Sequence, residues 1–272
     1  MLLITGANGQ LGTELKALLP DALGVDMPDL DITDESAVKA FVREHDVDTI
    51  VNCAAYTAVD KAEDEPEKCR AVNVDGVANL GKSGAKVVHV STDYVFDGLG
   101  HRPYVETDAT NPVSVYGITK RNGEEALKSA ADTCAIVRTA WLYSPFGNNF
   151  VKTMRRLGAE RDGLNVVFDQ IGTPTYAADL ARAIVDLLPQ IKDGTKETYH
   201  FSNEGVCSWY DFAREIMKLS GLKCRVNAIE SAQYPTKAKR PFYSVLNKAK
   251  IKSMGINVPH WQESLEKCLT RF

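Results

Sequence analysis

Short apolar runs alternate with segments of helical periodicity through the first half of the chain. Met1 to Thr5 is the first apolar run, and Leu11, Leu15 and Leu18 follow it at helical spacing. Further apolar or β-branched runs lie at 22–25, 49–53, 86–90 and 134–137, and further helical patterns at 33–42 and 116–127, with Thr33 as the candidate N-cap of the first of these. This alternation predicts parallel strands joined by right-handed crossovers. Because the runs are apolar almost throughout, we expect helices to cover both faces of the sheet.

The chain after Trp141 has a less regular pattern. Helical periodicity returns at 148–158, 178–188 and 209–220, and glycines and prolines separate these segments. The pattern therefore predicts a second, smaller unit that packs on the first.

Three glycines at three-residue intervals, Gly6, Gly9 and Gly12, lie between the first predicted strand and the first predicted helix. Glycine lets the backbone turn tightly and approach a pyrophosphate, and a helix N-terminus offers free N–H groups and a positive dipole. Asp26 ends the second strand, 20 residues after Gly6, where a carboxylate can accept hydrogen bonds from ribose hydroxyls. These positions predict a dinucleotide site. The charge of Asp26 favours NADH over NADPH, unless this side chain only caps a loop.

The glycine motif and the strand–helix alternation together predict an α/β fold with a Rossmann-type, doubly wound parallel sheet. We assign this dinucleotide-binding domain to residues 1–145. A smaller α+β substrate-binding domain is expected at 146–272, with a segment at about 165–190 that returns to the Rossmann sheet.

A tyrosine and a lysine four residues apart, Tyr116 and Lys120, are predicted to lie on one face of a helix. A free tyrosine has a pKa of about 10, and a neighbouring ammonium group favours the phenolate and lowers that pKa. Ser91, Thr92 and Asp93 follow a predicted strand, at the carboxyl edge of the sheet where ligands bind. The combination predicts acid–base chemistry on a carbonyl group, although Tyr-x-x-x-Lys alone also occurs in helices without any catalytic role.

Composition narrows the range of functions. Thirty-two basic and 36 acidic residues give a net charge of −4, which disfavours non-specific nucleic-acid binding. No apolar run is long enough for a membrane span, and the N-terminus lacks the pattern of a signal peptide. The six cysteines are scattered, so we expect reduced thiols in a cytoplasmic protein, and no histidine–cysteine spacing predicts a metal site.

These motifs together resemble the extended short-chain dehydrogenase/reductase superfamily and, within it, the family of dTDP-4-dehydrorhamnose reductases. The strings that carry the resemblance extend over nearly the whole chain: 9–12, 52–60, 91–96, 116–120, 138–141, 172–176, 240–241 and 244–246.

The resemblance implies a role for each matching position. Thr92, Tyr116 and Lys120 would be the catalytic residues. The cofactor would be bound by Gly6, Gly9, Gln10, Leu11, Gly12, Asp26, Asp31, Ile32, Ala54, Ala55, Tyr56 and Thr57, together with Tyr116 and Lys120. The substrate would contact Thr92, Asp93, Trp141 and Arg240. Trp141 could equally be a core aromatic residue, and the basic group Lys237, Lys239 and Arg240 could be a solvated surface instead of a diphosphate site.

The activity implied is reduction of the 4-keto group of dTDP-4-dehydro-L-rhamnose to dTDP-L-rhamnose, with NADH or NADPH as cofactor. The substrate would be a dTDP-linked 4-keto-6-deoxy sugar, and the protein a monomer or homodimer without a metal. Alternatives are another nucleotide-sugar 4-reductase, an epimerase, a dehydratase, or a non-catalytic regulatory subunit similar to that of methionine adenosyltransferase. A dehydratase is disfavoured because Tyr94, and not a second carboxylate, follows Asp93.

The segment between Asn73 and Lys86 departs from the family pattern. It is shorter by about four residues, close to one helical turn, so we expect its apolar face to keep its register.

Overall fold

The computed structural model describes all 272 residues and contains twelve strands and eleven α-helices. The strands are β1 (Leu2–Thr5), β2 (Leu23–Val25), β3 (Thr49–Asn52), β4 (Lys86–Thr92), β5 (Cys134–Thr139), β6 (Leu142–Tyr143), β7 (Gly163–Val167), β8 (Ile171–Gly172), β9 (Thr175–Tyr176), β10 (Lys196–His200), β11 (Cys207–Ser208) and β12 (Arg225–Ile229). The helices are α1 (Gln10–Leu18), α2 (Glu35–Glu44), α3 (Val59–Ala62), α4 (Pro66–Arg70), α5 (Val77–Gly81), α6 (Val115–Ala130), α7 (Phe150–Glu160), α8 (Ala177–Leu187), α9 (Trp209–Leu219), α10 (Ala249–Ser253) and α11 (Trp261–Leu269).

Six parallel strands form the central sheet in the order β10-β5-β4-β3-β1-β2. One apolar core lies between this sheet and helices α1 and α8, and a second lies on the opposite face, against α2, α5 and α6. Apolar side chains on both faces explain why the strands have continuous apolar runs and not alternating ones. The predicted α/β class with a doubly wound parallel sheet is confirmed.

The remaining elements surround a third apolar core, to which α7, α9 and α11 contribute buried side chains. Here β7 pairs in parallel with β12, away from the central sheet. The segment that returns to the central sheet is therefore α8 with β10, residues 177–200, which overlaps the expected 165–190 in α8 but not in β7. Since β7 has exposed and buried residues in alternation, its one-sided burial pattern fits a strand in a small, half-covered sheet.

Two local features differ from the sequence-based expectations. Helix α2 is capped by Asp34, whose carboxylate accepts from the Ala37 amide, and not by Thr33. The segment between Asn73 and Lys86, which is shorter than the family pattern, begins within a π-helical segment, Ala71–Gly76, between α4 and α5. A π-helical turn holds more residues than an α-helical turn, so the apolar face does not keep a simple α-helical register here.

Helix α6 is attached to the sheet by a buried ion pair. The carboxylate of Glu124 accepts two hydrogen bonds from the Arg138 guanidinium on β5, at 2.6 and 2.9 Å. The side chains of Glu124 and Arg138 are 0% and 5% exposed. The pair therefore fixes the position of the helix that carries Tyr116 and Lys120.

None of the helices combines the length and the apolar character needed to cross a bilayer. All six cysteines are free thiols.

Candidate active site

A cavity of about 830 Å³ lies at the carboxyl ends of the central strands. It begins at the glycine turn after β1 and ends at Trp141 and Trp209. The residues predicted from the sequence that line it are Gly6, Gly9, Gln10, Leu11, Gly12, Asp26, Asp31, Ile32, Ala54, Ala55, Thr57, Thr92, Asp93, Tyr116, Lys120 and Trp141. The fold thus brings nearly all of the predicted site into one cleft, while the individual roles of these residues stay predictions.

The glycine turn has the geometry of an anion site. Gly6 has φ +66°, and a Cβ at this position would lie 2.6 Å from the Ala54 amide nitrogen. A Cβ on Gly12 would lie 2.6 Å from the Cα of Ala7, so neither position tolerates a side chain. The N-cap residue of α1, Gly9, has no side chain to accept from the first turn, and the Gln10 and Leu11 amides have no acceptor within the chain. These free N–H groups fit a pyrophosphate.

Two carboxylates lie near this turn, where an adenosine ribose would be expected. Asp26 accepts hydrogen bonds from the amides of Asn8 and Met27, at 3.1 and 3.0 Å. Asp31 accepts from the amide and the hydroxyl of Thr33. Both carboxylates are therefore held in place by the chain itself, with lone pairs left for further donors.

Tyr116 is half-buried at the other end of the cavity, close to Thr92. Burial raises the pKa of Tyr116 above its ordinary value, while the neighbouring Thr92 hydroxyl lowers it and the Asp93 carboxylate raises it. The net direction is upward, which is opposite to the expectation that Lys120 lowers this pKa. The reason lies in the position of the Lys120 amine, which donates to the Val90 carbonyl at 2.7 Å and lies 3.1 Å from the His89 ring.

Three buried polar atoms that line the cavity have no hydrogen-bond partner: the hydroxyls of Ser91 and Thr139 and the Oδ2 of Asp93. The other carboxylate oxygen of Asp93 accepts from the Thr92 hydroxyl at 3.0 Å. Burial raises the pKa of Asp93 to about 6. Since buried polar groups in folded proteins are nearly always paired, these unpaired atoms mark the polar end of the cavity.

Trp141 forms the far wall of the cavity and is closely packed. Its ring stacks on Trp209 with a centroid separation of 3.6 Å. A Cβ on Gly172 would lie 2.7 Å from the ring, so the backbone of Gly172 also approaches it closely. Trp141 also has φ +48°, a conformation that costs energy for a bulky residue and is often retained at functional sites. Trp141 therefore both lines the cavity and packs against the apolar cores beside it.

Two predicted residues do not line the cavity. The Tyr56 hydroxyl donates to Glu65 at 2.9 Å, and its backbone pairs with the Asn73 side chain. Arg240 makes two hydrogen bonds to the Asp60 carboxylate, at 3.1 and 2.7 Å. The neighbouring Lys237 pairs with Asp64. Lys237 and Arg240 are therefore paired with acidic side chains of the segment that follows β3, whereas Lys239 is exposed.

Residues behind and beside the site were not predicted from the sequence. His89 and Asn52 lie under Lys120 and are completely buried, and Trp209 supports Trp141. The signal for the first two was a polar side chain within an apolar strand covered on both faces, which is rarely placed there without a partner. Trp209 had no comparable signal, because an aromatic residue at the start of a helix is ordinary.

Comparison with known proteins places the chain in a family. The family profile described as the RmlD substrate binding domain matches residues 1–272. The chain belongs to the RmlD family. It is 42% identical to the dTDP-4-dehydrorhamnose reductase of Sinorhizobium fredii over 98% of this chain and 95% of that protein. The resemblance predicted from the sequence is confirmed.

Solved structures of RmlD-family proteins superpose closely on this chain. The dTDP-4-dehydrorhamnose reductase of Clostridium acetobutylicum has a TM-score of 0.95 and 43% identity, covering 99% of this chain and 98% of its own. That of Bacillus anthracis, in complex with NADP, also has a TM-score of 0.95, with 41% identity, covering 100% and 99%.

Proposed function

We propose that this protein reduces the 4-keto group of dTDP-4-dehydro-L-rhamnose to dTDP-L-rhamnose with a nicotinamide cofactor. The observation that carries the proposal is the single cleft that joins the free amides of α1 to Thr92, Tyr116 and Lys120. Named reductases at 40–45% identity over nearly their full length support the substrate.

The chain's own residues supply a proton and orient the carbonyl group. Because burial raises the pKa of Tyr116, its phenol stays protonated at neutral pH, as a proton donor to the developing alkoxide must be. The Thr92 hydroxyl, which donates to Asp93, can rotate to donate to the substrate carbonyl. Asp93 has one carboxylate oxygen without a hydrogen-bond partner, beside the Thr92 hydroxyl.

The cofactor, when bound, supplies hydride to the carbonyl carbon. Its pyrophosphate would be held by the amides of Gln10 and Leu11, and a ribose hydroxyl would be within the reach of Asp26. Lys120 would hold the nicotinamide ribose near Tyr116. The rigid wall of Trp141 would exclude water and fix the sugar against this end of the cleft.

The test is an assay of the purified protein with dTDP-4-dehydro-L-rhamnose and either NADH or NADPH, following the loss of cofactor absorbance and identifying the product. We expect stoichiometric cofactor oxidation and dTDP-L-rhamnose. Turnover of a nucleotide sugar without net cofactor consumption would instead indicate an epimerase or a dehydratase. No turnover, with a partner enzyme copurifying, would indicate a regulatory subunit.

Cofactor preference provides a separate prediction. The Asp26 carboxylate should repel a 2′-phosphate, so we propose that NADH is slightly favoured. Asp26→Asn keeps the side-chain oxygen that accepts from Asn8 but removes the charge. It should raise the NADPH/NADH ratio of kcat/KM about tenfold, equivalent to about 1.4 kcal/mol. Steady-state kinetics with both cofactors measures this ratio.

The matched control is Asp29→Asn, which removes an equal charge from an exposed position of the same loop. It should change the ratio much less, because water screens a charge outside the cleft. An unchanged ratio in Asp26→Asn would rule out a role for this carboxylate in the choice of cofactor.

A further inference from the structure

A row of buried polar side chains crosses the sheet and ends at Lys120. Thr5 of β1, Asn52 of β3 and His89 of β4 are register partners on three neighbouring strands. The Thr5 hydroxyl donates to the Oδ1 of Asn52 at 2.7 Å, and the Nδ2 of Asn52 is 2.9 Å from the Nδ1 of His89. The Nε2 of His89 is 3.1 Å from the Nζ of Lys120. All four residues are at most 2% exposed.

The backbone fixes the direction of the hydrogen bonds in this row. The Ala54 amide donates to the Oδ1 of Asn52 at 3.0 Å, so the side-chain amide cannot be turned around without two N–H groups facing each other. The Nδ2 of Asn52 must then donate to the Nδ1 of His89. A neutral histidine that accepts at Nδ1 carries its proton on Nε2. Burial, with the charge of Lys120, lowers the pKa of His89 well below its ordinary value, so the ring is neutral.

The orientation of the His89 ring affects the protonation state of Lys120. An N–H group of His89 points at Nζ, and only a neutral amine has a lone pair to accept it. The ammonium form still donates to the Val90 carbonyl but faces the N–H of His89 without a bond. The ring therefore stabilises the neutral amine, and the charged form is favoured only where other acceptors, such as ribose hydroxyls, are within reach.

We propose that His89, oriented by Asn52, is a positioning residue that sets the protonation state of Lys120. This inference deepens the proposed reduction and rests on it. The ammonium form of Lys120 would donate to the nicotinamide ribose, and His89 sets how much of the amine is in that form. The phenolate left after Tyr116 gives its proton to the alkoxide takes a proton from water, so no other reactant is needed.

The groups that face Lys120 come from several elements. They are His89 of β4, Cys53 after β3, Cys69 of α4, and Glu124 on α6 itself. Burial lowers the pKa of Lys120 to about 8, although Glu124 and the two thiols act in the opposite direction. Since the ammonium is lost above this pKa, reductase activity should fall as the pH rises through about 8.

The first measurement is the ring 15N spectrum of the full-length, histidine-labelled protein at neutral pH. His89, identified by its absence in His89→Gln, should be neutral with its proton on Nε2. In Asn52→Asp the carboxylate accepts from both Ala54 and His89, so the ring proton should move to Nδ1. Thr5→Val is the matched control, because it removes one hydrogen bond from the row but leaves the Ala54 amide to orient Asn52.

The second measurement is the pH profile of kcat. In Asn52→Asp the Nε2 lone pair of His89 faces Lys120 and can accept from its ammonium. The basic midpoint, the pH at which kcat falls to half on the alkaline side, should therefore move upward by about one pH unit or more, equivalent to about 1.4 kcal/mol. His89→Gln should also move it upward without adding a charge, because the amide oxygen can turn to the ammonium. Thr5→Val should leave it in place, and thermal melting checks that each variant is folded.

The proposal is overturned if His89 of the unchanged protein carries its proton on Nδ1, or if Asn52→Asp leaves the proton on Nε2. It is also overturned if the tautomer moves and neither variant shifts the basic midpoint. A protein with the expected tautomers and no reductase activity would contradict the proposed function, while leaving the assignment of the hydrogen bonds intact.

Discussion

Tyr116→Phe should lower kcat by about 10²–10⁴-fold, the range expected when general acid catalysis is lost. The ring of phenylalanine fills the same buried volume, so the cleft and the free amides of α1 should be unchanged. Cofactor affinity should therefore stay close to that of the unchanged protein. Steady-state kinetics measures the first quantity, and quenching of tryptophan fluorescence by NADH or NADPH measures the second.

Tyr143→Phe is the matched control for this variant. It removes the hydroxyl of a buried tyrosine that has no hydrogen-bond partner and lies outside the cleft. Its activity should stay within a few-fold of normal. Near-normal turnover in Tyr116→Phe would refute the assignment of Tyr116 as the proton donor, whereas an equal loss in both variants would indicate a general disturbance of the fold.

The position of Tyr116 could be predicted from the sequence, but the direction of its pKa could not. A four-residue spacing places Tyr116 and Lys120 on one face of a helix, whatever lies beneath that face. What lies beneath is the Val90 carbonyl and the His89 ring, and these hold the amine. Desolvation then determines the pKa of the phenol. The burial of a side chain, and the other groups that bind its neighbour, depend on packing between distant segments. The spacing of two residues along a helix carries no information about that packing.

The same distinction separates the successful and unsuccessful predictions of the fold. Strand β4 was predicted because its apolar run is a local property, and the glycine turn because it depends on backbone conformation alone. The pairing of β7 with β12 joins segments about 60 residues apart, and the sequence of neither strand predicts which partner it takes. Arg240 shows the same effect, because its partner Asp60 lies 180 residues earlier in the chain.

Glu124→Gln should lower the free energy of unfolding by about 3–5 kcal/mol, the cost of leaving a buried charge without its partner. The charge in question is that of Arg138, which is also 3.4 Å from the His200 ring and over the face of Phe96. The face of Phe96 attracts the guanidinium only weakly, and neither neighbour carries a negative charge to replace Glu124. Chemical denaturation of each variant measures the loss, and Glu125→Gln, the same change at an exposed neighbour, should stay within about 0.5 kcal/mol.

Removing both members of the pair should cost much less than removing one. In Glu124→Met/Arg138→Met no buried charge remains, and two apolar side chains of similar length occupy the space. A double variant no more stable than Glu124→Gln, or a cost below about 1 kcal/mol in the single variant, would contradict a buried, desolvated pair.

The ion pair should also influence the chemistry, since Glu124 lies one turn beyond Lys120 on α6 and raises the pKa of its amine. Without the carboxylate charge, that pKa should fall below about 8. Lys120 would then lose its proton at a lower pH, and the basic midpoint of kcat in Glu124→Gln should move downward. This is opposite to the shift expected in Asn52→Asp, so the two variants test the charge of Lys120 from both directions on a helix that Arg138 holds against the sheet.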